Sequence, residues 1–195
     1  MSNVNFANLA ADNSQEGNVG GFLKIVPILA TAPTRNWPIP SDISNGEINV
    51  TIPFPVSGQL PVGQSSSFIL PVYSLPPNVI DVNSETIGEG GFHGEKHSIE
   101  LMIAGFSKEI QAELIKYTNA GVFFLVQTSD LKWGVVGTSY RPIYMKKSQK
   151  FGKKGGEQRG TTLKGDEEGY LWGILPLATS VVSNLNFSLT PIVPV

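Results

Sequence analysis

The segment Ser98-Ile-Glu-Leu-Met-Ile-Ala104 alternates polar and apolar side chains, and a different spacing of apolar residues begins directly after it. Alternation with a period of two is typical of a β-strand with one buried face. The following apolar residues are Phe106, Ile110, Leu114 and Tyr117, whose spacing places them along one stripe of an α-helix. The sequence therefore predicts a strand that leads at once into a helix.

The neighbouring residues set the bounds of this helix and predict the strands that follow. Ser107 is a suitable N-cap, and Asn119-Ala-Gly121 ends the helix because Asn and Gly tolerate the left-handed conformation. Val122–Gln127 is a continuous run of β-branched and aromatic residues, which predicts a strand covered on both faces. After a turn, Trp133–Gly137 is predicted to return antiparallel, and Tyr140–Met145 to extend the sheet. We expect a mainly β fold with one helix packed on a sheet.

Composition limits the class of protein. The chain has 195 residues, no cysteine and a net charge of −2, and only 15% of its residues are charged, compared with about 25% in typical soluble domains. A surface so poor in charge favours a protein that is covered by partners in an assembly. Without cysteine there is no disulfide or thiolate metal site. The N-terminal residues lack a basic signal-peptide region and no apolar run is long enough to span a bilayer, so we expect a soluble, unprocessed protein without a membrane partner.

The chain divides into an N-terminal arm, residues 1–21, and a single domain, residues 22–195. Within the domain, residues 22–91 are rich in Pro and Gly and predict edge strands and long loops, because proline cannot donate a hydrogen bond to a sheet. Residues 92–175 form the strand-helix-strand core, and residues 176–195 form a C-terminal arm with very little charge. We expect the arms and the Pro-rich loops to lie across neighbouring subunits.

Four segments outside the core carry more specific expectations. Phe22–Leu29, Glu47–Ile52 and Ser67–Tyr73 are predicted strands, and Pro27 within the first of them indicates a sheet edge or a bulge. Asn184–Leu189 alternates like another edge strand.

A basic segment is the strongest local anomaly in the sequence. Residues 141–164 contain eight basic residues and one acidic residue, a net charge of +7, so the remainder of the chain carries −9. The middle of the segment, residues 146–160, predicts a long exposed loop because it is rich in Gly and Lys and has no apolar periodicity. Three roles remain open: a solvated hairpin tip, docking on an acidic face of the next identical subunit, and contact with nucleic-acid phosphates. The candidate contact residues are Arg141, Lys146, Lys147, Lys150, Lys153, Lys154, Arg159 and Lys164.

The sequence offers few groups for catalysis or metal binding. His93 and His97 are the only histidines; they fall in a Gly-rich loop and at the start of a strand, without a third metal ligand nearby. The run Thr86–Gly94 predicts a hairpin loop and lacks the Lys-Ser/Thr ending of a phosphate-binding loop. Asp166-Glu-Glu168 reads as a solvated acidic turn that leads to a strand over Tyr170–Leu175. We expect no enzymatic activity, no cofactor and no metal.

The region from about Phe92 to Leu175 resembles the tail-tube and neck-ring proteins of tailed bacteriophages, in particular those infecting Bacteroidetes. The resemblance is carried by the strand Ser98–Ile103, the sequence Gly-Phe-Ser-Lys-Glu that opens the helix, Val122–Gln127, Asp130–Gly137, and the Gly/Lys loop that leads into Gly160-Thr-Thr-Leu and Tyr170-Leu. It covers a little under half of the chain. The Pro-rich residues 32–81 depart from the minimal tube pattern, which leaves the position in the virion open between tube, tail terminator and neck ring.

The resemblance implies a β-sandwich flanked by one helix and a structural role in the virion. Such subunits associate side by side into rings of six or twelve around a channel that DNA crosses, and the segment 146–160 matches the loop that contacts the adjoining ring. The implied partners are other copies of the chain, neighbouring tail, neck or portal proteins, and non-specifically the genomic DNA, with assembly in the host cytoplasm.

An alternative from another class is a monomeric β-sandwich module that binds carbohydrate or nucleic acid. In this module Trp37, Trp133 or Trp172 would form a stacking platform. Burial of these tryptophans in the core is the competing interpretation.

Overall fold

The computed structural model describes residues 21–55, 70–74, 79–151 and 159–188, and these residues form a mainly β fold with several antiparallel sheets. The helices are α1 (Lys108–Ile115) and α2 (Thr179–Ser183), with a short 3-10 turn at Pro40–Asp42. The strands are β1 (Phe22–Leu29), β2 (Ile43–Ser44), β3 (Glu47–Ile48), β4 (Leu70–Pro71), β5 (Tyr73–Ser74), β6 (Ile80–Ile87), β7 (Gly94–Ala104), β8 (Gly121–Thr128), β9 (Trp133–Val136), β10 (Ile143–Tyr144), β11 (Lys146–Lys150), β12 (Gly160–Tyr170), β13 (Leu175–Pro176) and β14 (Phe187–Ser188).

The first sheet is built around β8. Its strands follow the order β13-β9-β8-β1-β5, and β10 also pairs with β8. Residues 122–127 of β8 are all buried, which confirms the prediction of a strand covered on both faces. β5 pairs with β1 only at Lys24 and Ile25, so within the described residues Pro27 has no paired strand on that side of β1. This agrees with the expectation that Pro27 occupies a local edge.

The second sheet has four antiparallel strands in the order β11-β12-β7-β6. β7 and β12 are each 11 residues long and pair along most of their length. β6 and β7 form a hairpin whose turn contains the predicted Gly-rich loop. Gly88 has φ +103°, and a Cβ at this position would lie 2.3 Å from the carbonyl oxygen of Phe92, so the turn requires glycine here.

One hydrophobic cluster contains side chains from both sheets and from α1. Phe124 of β8, Leu101 of β7 and Leu163 of β12 are fully buried in it. α1 contributes Ile110 and Leu114, and the Oγ of Ser107 accepts a hydrogen bond from the backbone N–H of Ile110 at 3.2 Å, which confirms the predicted N-cap. The apolar stripe of the helix therefore faces the core, as predicted. Phe106, which was expected to belong to this stripe, precedes the helix, and its side chain is 51% exposed.

A second cluster covers the opposite face of the first sheet. Phe123 and Leu125 of β8 contact residues from the Pro-rich segment, including Trp37 and Ile48. Residues after β13, among them Val181, complete the cluster. The described parts of the Pro-rich segment and of the C-terminal arm therefore pack against their own chain, whereas the sequence had suggested neighbouring subunits as their support.

Several predicted boundaries were wrong. The segment 146–160 is not a loop throughout, because Lys146–Lys150 is strand β11. The acidic turn at 166–168 is in fact part of β12, since the long partner β7 continues the pairing through these residues. The strand predicted over Glu47–Ile52 is limited to Glu47–Ile48. Of the strand predicted at 184–189, residues 184–186 are not in a strand and Phe187–Ser188 is strand β14. The strand predicted over Tyr170–Leu175 was also placed wrongly, because Tyr170 ends β12 and Leu175 begins β13.

Candidate assembly surface

The structure brings most of the candidate basic residues to one side of the four-stranded sheet. Lys146, Lys147 and Lys150 lie on β11, Lys164 lies on the adjacent β12, and Arg159 directly precedes β12. Lys153 and Lys154 lie outside the described residues, as do residues 1–20 of the predicted arm.

Arg141 is separate from this group. Its Nη1 donates a hydrogen bond to the carbonyl oxygen of Glu168 at 2.7 Å and lies 3.9 Å from a carboxylate oxygen of Glu167. Arg141 therefore serves contacts within its own chain.

β11 and β6 are the two outer strands of this sheet. Within the described residues, each pairs with only one other strand, β12 and β7 respectively. All five residues of β11 are exposed, and Asp81 and Glu85 are exposed on β6. The sheet thus ends in a basic edge, which is β11, and an acidic edge, which is β6.

A single row of charged side chains crosses the sheet from the basic edge to the acidic edge. The strand register aligns Lys146 with Lys164, Lys164 with Glu100, and Glu100 with Asp81. Residues aligned in this way on antiparallel strands point to the same face. We call these four residues the charged row.

Within the described residues, the two central residues of the charged row form an ion pair, and the two end residues do not. The Nζ of Lys164 lies 3.2 Å from the carboxylate of Glu100. Among the described residues, neither Lys146 nor Asp81 forms an ion pair. Instead each end lies beside a residue of its own sign, Lys146 beside Lys164 and Asp81 beside Glu100, an arrangement that is destabilising in a sheet. Within the described part of the chain, both ends of the row lack a partner of opposite charge.

Two of the three acidic residues of β12 form ion pairs with a lysine from β7. The Nζ of Lys96 lies 3.1 Å from the carboxylate of Asp166 and 3.2 Å from that of Glu168. Hydrogen bonds from Lys96 to these two carboxylates, Asp166 first, raise the pKa of Lys96. These carboxylates are therefore part of an ion-pair network on the surface of the sheet.

His97 is a structural residue of the core. Its side chain is 1% exposed and its ring stacks on that of Tyr170 at a centroid distance of 4.1 Å. The Nδ1 accepts a hydrogen bond from the backbone N–H of Gly137 at 3.1 Å, so the proton of the neutral ring is on Nε2, which donates to the carbonyl oxygen of Trp172 at 3.1 Å. Burial lowers the pKa of His97. His93, in contrast, is exposed.

The described residues contain no group of three or more His, Asp or Glu side chains that could hold a metal ion. Among the same residues, no helix has the length and apolar character needed to cross a membrane.

The tryptophans of the alternative binding module are mostly buried. Trp37 is fully buried, and Trp133 is 7% exposed and stacks on Phe187 at 4.8 Å. The indole Nε1 of Trp37 donates to the carbonyl oxygen of Val50 at 2.9 Å. Trp172, the third tryptophan, is half-buried. Burial of Trp37 and Trp133 is confirmed, and neither side chain forms an exposed platform.

A cavity of about 280 Å³ lies between β1 and α1. Its walls are mainly apolar, with Pro27, Leu29 and Val122 among them. At its polar side the hydroxyl of Tyr73 donates to the carboxylate of Glu113 at 2.7 Å.

Sequence reasoning missed the acidic edge. It placed residues 32–81 in a Pro-rich segment of loops and edge strands and did not predict β6. The alternation of apolar and polar residues in Ile80-Asp-Val-Asn83 was the available signal. The acidic edge is therefore formed by a strand that precedes the predicted core.

Comparison of the chain with protein-family models, with curated proteins and with solved structures found no match.

Proposed function

We propose that this chain is a structural virion protein of a tailed bacteriophage that assembles side by side into a ring of the tail tube or neck, through which DNA passes. The observation that carries the proposal is the charged row with its basic end on β11 and its acidic end on β6. In this proposal the two sheets and α1 form a β-sandwich with one packed helix, and the ring contacts neighbouring tail, neck or portal proteins.

Strand direction is compatible with a ring. Three successive antiparallel pairings make β6 run opposite to β11. A rotation about an axis along the strands preserves strand direction, so it brings β11 of one copy antiparallel to β6 of the next. The main-chain groups on the open sides of both strands then form a ladder between copies, and the contact is repeated around the ring because it joins two different surfaces.

Electrostatics favours the same contact. In a ring, Asp81 of one copy approaches Lys146 of the next, as Glu100 approaches Lys164 within the chain. Each end of the charged row then gains a partner of opposite charge, which offsets the two like-charge neighbours inside the subunit. Docking of the basic residues on an acidic face of an identical subunit is therefore the role that the geometry supports best.

The outward face of the four-stranded sheet suits the wall of a DNA channel. By register and alternation, this face carries four basic and five acidic side chains, a formal charge of −1. They are Lys96, Lys146, Lys150 and Lys164, and Asp81, Glu85, Glu100, Asp166 and Glu168. Because DNA binding depends on neutralising phosphates with excess positive charge, such a face does not retain DNA strongly.

Native mass spectrometry and light scattering across protein concentration test the ring. The wild-type chain is expected to give one discrete oligomer, and the double variant Lys146→Gln/Lys147→Gln to shift it toward the 21.0 kDa monomer. The matched control is Lys116→Gln/Lys132→Gln, which removes the same charge from exposed lysines away from β11. A wild-type chain that stays monomeric at high concentration would contradict the proposal, as would equal dissociation in the two double variants.

The same sample separates assembly from DNA contact. If the basic edge recognises phosphates, duplex DNA added at low salt should bind strongly, and its affinity should fall steeply as the salt concentration rises. Unchanged ring mass with no bound DNA is the result expected here.

A further inference from the structure

The cavity between β1 and α1 lies beside the part of β1 that β5 does not cover. β5 pairs with β1 at Lys24 and Ile25, whereas the cavity is lined by the last three residues of β1, from Pro27 to Leu29. Pro27 has no N–H to donate to a neighbouring strand. The remaining walls come from α1, from the turn after it, and from β4 and β5. The cavity therefore occupies the place where a longer β5 would continue the sheet.

Apolar side chains form most of the cavity wall. Ile28, Leu70 and Val122 in this wall are buried, and the cavity is partly open to solvent. Its volume of about 280 Å³ is about twice the ~150 Å³ of an apolar cavity that accommodates benzene. A molecule with one ring and a short chain therefore fits, and burial of its apolar surface favours binding.

Four polar side chains also line the cavity, and three of them are joined by hydrogen bonds. The Glu113 carboxylate accepts a hydrogen bond from the Tyr73 hydroxyl at 2.7 Å through one oxygen, and its other oxygen pairs with the Lys116 ammonium. The negative charge of Glu113 is thus balanced by Lys116. The group has no net charge, which favours a neutral ligand over an ion.

The fourth polar side chain, Tyr117, has no partner. Its hydroxyl is buried and forms no hydrogen bond with the described residues. Tyr73 gives its single hydroxyl proton to Glu113. Burial raises the pKa of Tyr117, so the group remains a neutral O–H donor at neutral pH. A buried O–H without an acceptor is costly, and an acceptor on a bound molecule removes that cost.

We propose that this cavity binds a small neutral molecule with a mainly apolar body and one acceptor oxygen, such as an aryl-alkyl ketone, and that the Tyr117 hydroxyl donates a hydrogen bond to this oxygen. An apolar pocket with a few convergent polar groups is the usual form of a small-molecule site. Lys116 also has protons to donate, but its side chain is 67% exposed and hydrated, so a ligand gains less from it. The site goes beyond the proposed ring and does not depend on it, because none of the described residues in its wall belongs to β6 or β11.

Two probes of similar size and shape test the site on the full chain. Benzylacetone carries a ketone oxygen, and butylbenzene has the same ring and a chain of the same length without oxygen. Titrations followed by amide chemical shifts in nuclear magnetic resonance give both the affinity and the location of binding. We expect shift changes at residues 27–32 and 113–122 for both probes. Benzylacetone should bind about 2- to 10-fold more tightly, the value of one neutral hydrogen bond.

Three variants separate the hydrogen bond from the apolar contacts. Tyr117→Phe removes a hydroxyl that has no partner in the fold, so it should abolish the preference for benzylacetone and leave the affinity for butylbenzene unchanged. Tyr140→Phe is the matched control, because it removes the hydroxyl of a tyrosine that is 41% exposed and outside the cavity wall. Ala32→Phe places a ring in the cavity and should weaken both probes about tenfold or more, a loss of about 1.4 kcal/mol.

The results distinguish the site from its hydrogen bond. Binding of neither probe, shift changes away from the cavity wall, or full affinity in a folded Ala32→Phe variant would overturn the site. A preference for benzylacetone that persists in Tyr117→Phe would overturn the assigned hydrogen bond, and this test stands even where Ala32→Phe fails to fold. The mass of the oligomer is measured separately, so failure of the site is distinguishable from failure of the proposed ring.

Discussion

Reversing one charge at each end of the charged row should convert a self-assembling chain into two chains that assemble only with each other. In Lys146→Glu both ends of the charged row are acidic, and in Asp81→Lys both ends are basic. Contacts between identical copies then place like charges together, the introduced glutamate against Asp81 or the introduced lysine against Lys146. In an alternating mixture every contact again joins opposite charges. The introduced glutamate meets the introduced lysine at one contact, and Lys146 meets Asp81 at the next.

The size of the effect follows from the exposure of the two side chains. An exposed ion pair contributes about 0.2–1 kcal/mol, so replacing attraction by an equal repulsion costs about 0.4–2 kcal/mol per contact. This corresponds to a roughly 2- to 30-fold weaker association at each contact of the ring. The folded subunit should not lose stability, because the introduced glutamate lies beside Lys164 and the introduced lysine lies beside Glu100.

The assay is light scattering and native mass spectrometry on each variant alone and on the equimolar mixture, at about 0.1 M and 1 M salt, where the screening lengths are about 10 Å and 3 Å. We expect smaller species from either variant alone, rings with an even number of subunits from the mixture, and a smaller difference at high salt. Lys132→Glu changes an exposed charge in the β8–β9 turn and should assemble as wild type does. Normal self-assembly of both variants, or a mixture that assembles no better than its components, would refute the pairing of β11 with β6.

Three further predictions concern the subunit itself. Burial lowers the pKa of His97 in the folded state, so the unfolded chain takes up a proton first as pH falls below about 6.5. The free energy of unfolding should therefore decrease by up to about 1.4 kcal/mol per pH unit. Denaturant titrations at pH 7.5 and 5.5 should show a smaller decrease in His97→Gln than in the wild type. Phe124→Ala removes a fully buried ring and should cost about 3–5 kcal/mol, whereas Phe92→Ala at an 87% exposed position should change stability by less than about 0.5 kcal/mol in the same titration. Ser107→Ala removes the N-cap of α1 and should cost about 1 kcal/mol, with Ser107→Asp restoring most of it; equal stability of all three chains would argue against the cap.

The sequence predicts the elements in which local preference and burial agree. β8 is a run of β-branched and aromatic residues that is buried on both faces, and α1 has a cap and an apolar stripe. In such segments the secondary structure that the local sequence favours is the one found in the fold. The predicted end of the helix at Asn119 was too late, because α1 ends at Ile115 and Asn119, whose φ is +55°, lies in the turn that follows.

β11 and the acidic part of β12 are different. Lys-Lys-Ser-Gln-Lys has no apolar side chain, and Gly-Asp-Glu-Glu-Gly has the composition of a turn. Both are strands because β7 provides a long partner for β12, and β12 in turn for β11. Pairing between distant segments overrides local preference here, and a single sequence does not reveal which segments pair.

For the same reason, the sequence could predict the residues of the candidate surface only in part. Charge counting located the basic residues, but it could not show that Lys146 continues a row that ends at Asp81, because the register of four strands sets that relation. His97 could have been placed in the core, since it continues the alternation of Ile99 and Leu101.

The charges on the two open edges also account for the direction of the proposed assembly. An open edge strand can pair with any other edge, and proteins use charge to prevent unwanted pairing. Two β11 edges would bring Lys146 toward Lys146, and two β6 edges would bring Asp81 toward Asp81, so both contacts between identical edges are opposed. Only β11 with β6 is attractive, and this contact joins two different surfaces of the same subunit. In the proposed assembly, the same charges oppose symmetric dimers and favour a repeating side-by-side series, and the twist of each added sheet rotates that series toward closure.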